Sequence, residues 1–293
     1  MKKLLLMLLS AITVVACGSG DDDSTTPAPI PSLGGVGEGV QSQRLLTVEI
    51  GGQPMQEEDA AAPFFNRTAA ATTTETLSAF TMHYLNDEWS KEFTKTGSEW
   101  STASWPIPGE EKIDVYANNE GTYIYNSGNP YVSFTALEDA FNTKDFLVAE
   151  HKNIAYSDEG GKVSLSFRHA CAAVQFQIWK TQTQASHNFV VTSAKLLNVD
   201  KHGDYYYTDG WKNVDTPTDY TLNNSSITLT TDYQLLPCQW LFVVPQSKSG
   251  ITLELKYTVD GGEEKTKNIP LGTDSWAAGY RYTVNIKVGT SFL

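Results

Sequence analysis

Hydrophobic and polar residues alternate along much of this chain with the two-residue period of β-strands. The longest alternating segment covers residues 162–179. Its apolar residues are Val163, Leu165 and Phe167, followed by Val174, Phe176 and Ile178. The apolar positions are odd before His169 and even after Ala173, so the small residues between them predict a bulge or bend that turns the side chains over.

Shorter segments of the same kind recur about every ten residues, with turn residues between them. They cover residues 45–50, 77–84, 112–117, 190–199, 226–230, 240–246, 251–259 and 276–286. This spacing predicts an all-β protein built from Greek-key β-sandwiches. A length of 293 residues suits two domains. The polar interval 180–184 places the boundary, which gives an N-terminal sandwich over residues 45–184 and a C-terminal one over 185–293.

The N-terminus has the pattern of an export signal. Two lysines precede a short apolar run over residues 4–15, as in a signal peptide and unlike a membrane span. Val14, Val15 and Ala16 before Cys17 match a bacterial lipobox, which predicts a signal peptide over residues 1–16 and a diacylated Cys17. More than one acyl chain gives stable membrane anchoring. An ordinary signal peptide with an accidental cysteine is the alternative.

Residues 17–44 are predicted to be a lipidated, flexible tether. The segment is acidic at first and then rich in Thr, Pro, Gly and Ser, with no periodicity. Residues 53–74 are also polar and show no clear strand pattern, so the strand predicted at 45–50 stands between a tether and a loop.

Composition and spacing argue against several functions. A net charge of −13 and a pI of about 4.8 argue against nucleic acid as a partner. The five histidines are scattered, no metal-ligand spacing or nucleophile elbow occurs, and no cofactor is expected, so an enzyme is disfavoured. Asp200, Asp204 and Asp209 lack EF-hand spacing and are predicted to be solvated turn residues. His169 is predicted to be a hydrogen-bonded core imidazole.

Two further groups leave alternatives open. Cys171 and Cys238 either form a disulfide or remain buried free thiols. The tyrosines at 205–207, together with Trp211, either form a platform for sugar rings or divide between core and surface, which is the commoner arrangement of alternating aromatic residues.

Several motifs, taken in order with the lipobox, resemble the fimbrillins, the lipoprotein pilin subunits of Bacteroidetes surface fimbriae. They are LSFRHA at 165–170 with AVQFQI at 173–178, Trp105 and Pro106 before the Val-Tyr-Ala strand at 115–117, WLFVVPQ at 240–246, and WAAGYRYTVNI at 276–286. The resemblance implies two transthyretin-like sandwiches. It also implies a surface-exposed outer-membrane lipoprotein of the fimbrium. The acidic residues 18–23 resemble the export tag of such lipoproteins, or form a solvated spacer.

The resemblance also implies partners and a mode of assembly. The expected partners are other fimbrial subunits, the outer membrane through the Cys17 lipid, and a host or microbial receptor. In fimbrillins an arginine-specific protease removes an N-terminal strand, and a strand from a neighbouring subunit fills the groove. Arg168 and Arg281 lie in predicted core strands, which leaves Arg44 and Arg67 as candidate cleavage sites.

Cleavage after Arg67 would remove the strand at 45–50, whereas cleavage after Arg44 would leave it in place. Arg67 is therefore the preferred candidate, and an ordinary loop arginine is the competing interpretation. The predicted plug residues are Leu45, Leu46, Val48 and Ile50. Residues 287–293 are short for a donor strand at roughly 3.3 Å per residue, which favours a subunit that only accepts, such as a tip subunit. The competing function is a surface lipoprotein that binds glycans for nutrient uptake.

Overall fold

A computed structural model describes residues 44–57, 77–84, 88–107 and 111–293. In these ranges nearly all regular structure is β-strand, which confirms the predicted all-β class. The helices there are α1 (Tyr156–Glu159) and two 3-10 turns, η1 (Gln182–Gln184) and η2 (Thr290–Phe292). None of these described helices has the length and apolar character needed to span a membrane.

The described strands form three sheets. The first contains, in spatial order, β5 (Glu99–Trp100), β4 (Trp89–Thr96), β3 (Ala79–Tyr84), β7 (Ile113–Asn118), β10 (Leu147–Ile154), β11 (Lys162–His169), β1 (Leu45–Gly52) and β6 (Ala103–Ser104). The second contains β16 (Gln234–Leu235), β12 (Ala172–Lys180), β20 (Tyr280–Val288) and β2 (Gln56–Glu57), with β17 (Leu241–Val243) also paired to β12.

The third sheet is organised around one long strand. It contains, in order, β19 (Lys265–Pro270), β18 (Thr252–Val259), β13 (Phe189–Tyr206), β9 (Tyr131–Thr135) and β8 (Thr122–Ile124). Two further strands, β14 (Gly210–Thr221) and β15 (Ile227–Thr228), pair with β13. Because β8 and β9 precede β10 in the chain, the first half of the sequence contributes strands to this sheet too.

Buried side chains form three clusters. The first cluster fills one face of the first sheet, around Phe80, Phe93 and Phe167. The second fills the space between the second and third sheets and includes Phe176 and Leu253. An aromatic cluster joins the outer side of β7 and β10 to β8, β9 and the end of β13. Its aromatic members are Tyr116, Tyr123, Phe134, Phe146, Tyr205 and Tyr207.

The alternating segment at 162–179 connects the first two clusters. Its odd apolar residues lie on β11 in the first cluster, and its even ones lie on β12 in the second. Ala170 and Cys171, both fully buried, separate the two strands. The predicted bend is therefore the point at which the chain leaves one sheet and enters another.

The strand pairing bears on how the chain is organised. Although β12 precedes residue 184, it pairs with β16, β17 and β20 from the second half. Two domains over residues 45–184 and 185–293 stay a prediction, as does their Greek-key connectivity.

The two described cysteines are free and buried, and they belong to different clusters. Burial raises the pKa of Cys171 well above its usual value and raises that of Cys238 to about 11. A raised pKa favours the neutral thiol, which is the unreactive form, until the pH approaches that value.

We therefore expect neither thiol to react at pH 8 in the folded Cys17→Ser variant, and both to react in denaturant. Labelling with Ellman's reagent, before and after unfolding without reductant, measures this. Rapid labelling of the folded protein would contradict the buried placement, and no labelling after unfolding would indicate a disulfide.

Candidate functional site

The predicted plug strand is paired with the body of the protein. Strand β1 runs parallel to β11, in a register from Thr47 opposite Lys162 to Gly52 opposite Phe167. The Thr47 amide donates a hydrogen bond to the Gly161 carbonyl at 2.9 Å, and the Gln53 amide donates one to the Phe167 carbonyl at 3.1 Å. On its other side β1 pairs with the two-residue strand β6. The backbone groups of β1 are thus satisfied largely by β11.

The plug residues differ in their contacts. Leu46 is fully buried in the first cluster, and Val48 and Ile50 are half-buried against it. Leu45 is 52% exposed and does not belong to the cluster. Leu46 therefore anchors the strand, and Leu45 contributes little to burial.

The chain after β1 makes a second strand contact, with a different sheet. The Gln56 amide donates a hydrogen bond to the Gly279 carbonyl at 2.7 Å, and β2 pairs in parallel with β20. Met55, beside β2, is 6% exposed and forms part of a cavity wall. The polar run over residues 53–74 predicts a loop where the structure has β2, because a strand of two residues has no period. The one sequence feature that marks the position of β2 is the apolar Met55 within a polar run.

At the start of β1, Arg44 contacts two aromatic residues, Trp105 and Tyr156. The Trp105 amide donates a hydrogen bond to the Arg44 carbonyl at 2.8 Å. The Arg44 guanidinium lies 4.8 Å from the centre of the Tyr156 ring, and the Trp105 ring meets Tyr156 edge-on at 5.5 Å. Arg44 thus belongs to the ordered body of the protein.

Gly161 allows β1 to approach closely. Its φ is +81°, and a Cβ there would lie 2.2 Å from the Leu45 carbonyl oxygen and 2.7 Å from the Tyr156 ring. Any side chain would therefore displace the start of β1. The neighbouring Gly160 also has a positive φ, of +59°, but a Cβ there would meet no atom within 4 Å.

An ion pair lies over the outside of β1. Glu49 pairs with Lys162 across the two parallel strands, and the Ser164 hydroxyl donates to the same carboxylate at 3.4 Å. The hydrogen bond and charge of Lys162 lower the pKa of Glu49. Because both side chains are exposed to solvent, this pair favours the register of β1 more than it adds stability.

Other predicted sites fall in different places. Cys17 and Arg67 lie outside the described residues. Within the described ranges, no three His, Cys, Asp or Glu side chains come together as metal ligands would. His169 is buried and hydrogen-bonded to Asp145, which confirms its predicted character as a core imidazole.

The three tyrosines at 205–207 divide between core and surface, as alternating residues commonly do. Tyr205 and Tyr207 are buried in the aromatic cluster. The Tyr206 ring is stacked on Tyr131 at 4.8 Å, and Lys212 Nζ lies 4.5 Å from its centre. The Tyr206 ring is therefore partly exposed and contacts both Tyr131 and Lys212.

One prediction compares two adjacent leucines of β1. Leu46→Ala should destabilise the docked strand by about 2–5 kcal/mol, because it removes a fully buried side chain. Leu45→Ala should change it by less than about 0.5 kcal/mol. Hydrogen exchange of the amides of residues 45–52, followed by mass spectrometry, measures the opening of this strand. Equal exchange in the two variants would show that Leu46 does not hold β1.

Another prediction compares the two adjacent glycines. Gly160→Ala should cost about 1 kcal/mol, for the left-handed backbone alone. Gly161→Ala should cost about 2 kcal/mol more, because its Cβ meets the Leu45 carbonyl. Urea unfolding gives the two values, and limited trypsin digestion reports whether β1 is displaced. Equal losses would mean that β1 does not pack over Gly161.

Comparison with known proteins identifies the fold. A family model described as fimbrillin-like matches residues 54–292. A fimbrial protein from Bacteroides vulgatus has a similar structure, with a TM-score of 0.53 and 15% identity over 84% of this chain and 95% of the other. A candidate cell adhesion protein from Bacteroides ovatus also has a similar structure. Its TM-score is 0.52, with 14% identity over 82% of this chain and 91% of the other. No curated protein matches the chain.

Proposed function

Because this chain belongs to the fimbrillin-like family, we propose that it is a structural or adhesive subunit of surface fimbriae. It is exported as a lipoprotein and held in the outer membrane by acyl chains on Cys17. Its partners are other fimbrial subunits and a receptor on a host or microbial surface. Its role is structural and not catalytic.

One observation carries the proposed mode of assembly: residues 45–57 complete two different sheets. Strand β1 covers the edge of β11, and β2 covers the start of β20. If this segment leaves, both edges lose main-chain partners, and the positions of Leu46 and Met55 become vacant. An extended segment of a neighbouring subunit would restore the hydrogen bonds and refill the two positions.

The edge of β20 supports this proposal. Only Tyr280 and Arg281 pair with β2, so residues 282–288 have no strand on that side within the described part of the chain. A partner strand longer than β2 would find further unpaired main chain there. The edge of β20 can therefore pair with a strand longer than β2.

Two other described edge strands, β19 and β14, are protected against pairing. Strand β19 carries Lys265 and Lys267 and ends at Pro270. Strand β14 contains Pro217 and is interrupted by left-handed backbone at Asn213 and Thr216. Charge, proline and irregular backbone all discourage added strands. Their concentration on these edges favours the β11 and β20 edges as the places where partners bind.

We place the cleavage after Arg67 in preference to Arg44. Arg44 contacts Trp105 and Tyr156, and a cut after it would leave β1 paired with β11. Cleavage after Arg67 would release both β1 and β2.

We propose an accepting subunit, such as one at a fimbrial tip, because residues 290–293 are packed against the body of the protein. Phe292 is buried in the second cluster, and the Tyr257 hydroxyl donates a hydrogen bond to its carbonyl at 2.9 Å. Residues held in this way are not free to enter a neighbour.

Mixing the cleaved protein with a stalk subunit should therefore cap one end of the stalk only.

The proposed cleavage is tested as follows. In cells that assemble fimbriae, the polymerised protein should begin at Thr68, and Arg67→Ala should prevent both cleavage and incorporation. Arg44→Ala is the matched control and should leave both unchanged. N-terminal sequencing of purified fimbriae measures the outcome. A polymerised chain still beginning at Cys17 would overturn the proposed mode of assembly.

A further inference from the structure

A cavity of about 610 Å³ adjoins the segment over residues 45–57. Met55, immediately before β2, forms part of its wall. The other walls come from the first sheet, near the starts of β3 and β10, and from β12, β17 and β20 of the second sheet. A cavity of about 150 Å³ is large enough to bind benzene. This one therefore has room for a large side chain even with Met55 in place.

Strand pairing explains why a segment on the edge of β20 meets this cavity. Phe242, Ala173 and Arg281 lie opposite one another on β17, β12 and β20, and all three line the cavity. Residues opposite one another in a sheet point to the same face. Strand β2 pairs with the start of β20, and Met55 just before it reaches the same cavity. A segment that replaced β2 in this register would place one of its own residues at the position of Met55.

The walls favour an aromatic side chain. Trp240 and Phe242 line the cavity and are only half-buried. The Arg281 guanidinium lies 5.4 Å from the centre of the Trp240 ring and adds a second flat group. Aromatic rings and a guanidinium plane all pack favourably against another ring.

The other charged side chains of the lining are paired with each other. Lys144 Nζ lies 2.9 Å from a Glu120 carboxylate oxygen, and His169 Nδ1 lies 2.5 Å from Asp145 Oδ2. A charged side chain that entered the cavity would lose hydration without gaining a partner from these pairs, which is unfavourable. An apolar side chain would leave water for apolar surroundings, which is favourable.

We infer that this cavity receives a large aromatic side chain, carried by the segment of a neighbouring subunit that replaces residues 45–57. The ring enters at the position of Met55 and packs against Trp240 and Phe242, while the backbone beside it pairs with β20. Because Met55 leaves the cavity unfilled, an aromatic residue gains contacts that the uncut chain lacks. The inference rests on the proposed strand exchange and adds which kind of residue the partner carries.

Variants of the purified, uncut full chain test the fit, because they place different side chains at one position. In Met55→Trp, amide hydrogen exchange over residues 53–57 should slow by at least about threefold, since filling a cavity stabilises the segment. In Met55→Glu it should speed up by about tenfold, because a charge enters apolar surroundings. Hydrogen exchange followed by mass spectrometry measures both.

Leu46→Trp is the matched control. Leu46 is fully buried in the first cluster and is not part of the cavity wall. A tryptophan there overpacks the core, so exchange over residues 45–52 should speed up. The contrast between the two tryptophan variants separates the effect of the cavity from that of a larger apolar side chain.

Faster or unchanged exchange in Met55→Trp would overturn the inference. So would slower exchange in Met55→Glu, which would indicate an acidic partner residue. Should Met55→Trp fail to fold, as judged by thermal unfolding, indole decides: saturation-transfer NMR should detect its binding to the unmodified chain, at least about tenfold weaker in Trp240→Leu. Trp179→Leu, which alters a residue in contact with Tyr233 outside the cavity, should bind indole normally. Absence of indole binding, or equal binding in Trp240→Leu, would then refute the site.

These measurements involve neither cleavage nor polymerisation. A polymerised chain that still begins at Cys17 would overturn the strand exchange and leave the fit of an aromatic side chain standing. A poor fit of tryptophan at position 55 would overturn the choice of residue and leave the exchange standing.

Discussion

The structure depends on pairing the backbone along one side of β11 and the start of β20. Buried amide and carbonyl groups in a strand need partners, and a long unpaired edge recruits them from any available chain. In this protein residues 45–57 supply them, first to β11 and then to β20. One continuous segment therefore closes two sheets that carry different clusters of buried side chains.

Residues outside that segment connect the first sheet to the third. The Tyr207 hydroxyl donates to the Ala117 carbonyl at 3.1 Å, and the Trp211 indole donates to the Ala170 carbonyl at 2.7 Å. Arg168 donates to the Tyr205 hydroxyl at 3.0 Å. These bonds tie the third sheet to the first, within an aromatic cluster that excludes water. Loss of residues 45–57 would leave these three hydrogen bonds in place.

Alternation of apolar residues predicts a large part of this fold. It identifies β1, the strands β11 and β12, and the switch of faces between them, because side chains on a pleated strand report directly which face is buried. It does not identify the partner of β1, which lies more than 100 residues away along the chain. Such pairing is decided by tertiary packing, which leaves no local pattern.

Strand β2 and the Asp145–His169 pair leave no local pattern in the sequence either. Strand β2 is too short to have a period, and its pairing depends on the position of Gly279. Asp145 and His169 stand 24 residues apart, one in a loop and one at a strand end, so no spacing marks them as a pair. At Leu45 and Leu46 the two-residue period does decide: Val48 and Ile50 share the parity of Leu46, which is buried, whereas Leu45 is exposed.

The parallel alignment of β1 with β11 and of β2 with β20 has a directional consequence. A segment from another molecule that adopts this alignment must enter in a single orientation, with its own amino end near the start of β11. The two molecules then present different surfaces to each other, so the contact is heterologous and does not close by twofold symmetry. A polymer built from such contacts has polarity, with two ends that are chemically distinct.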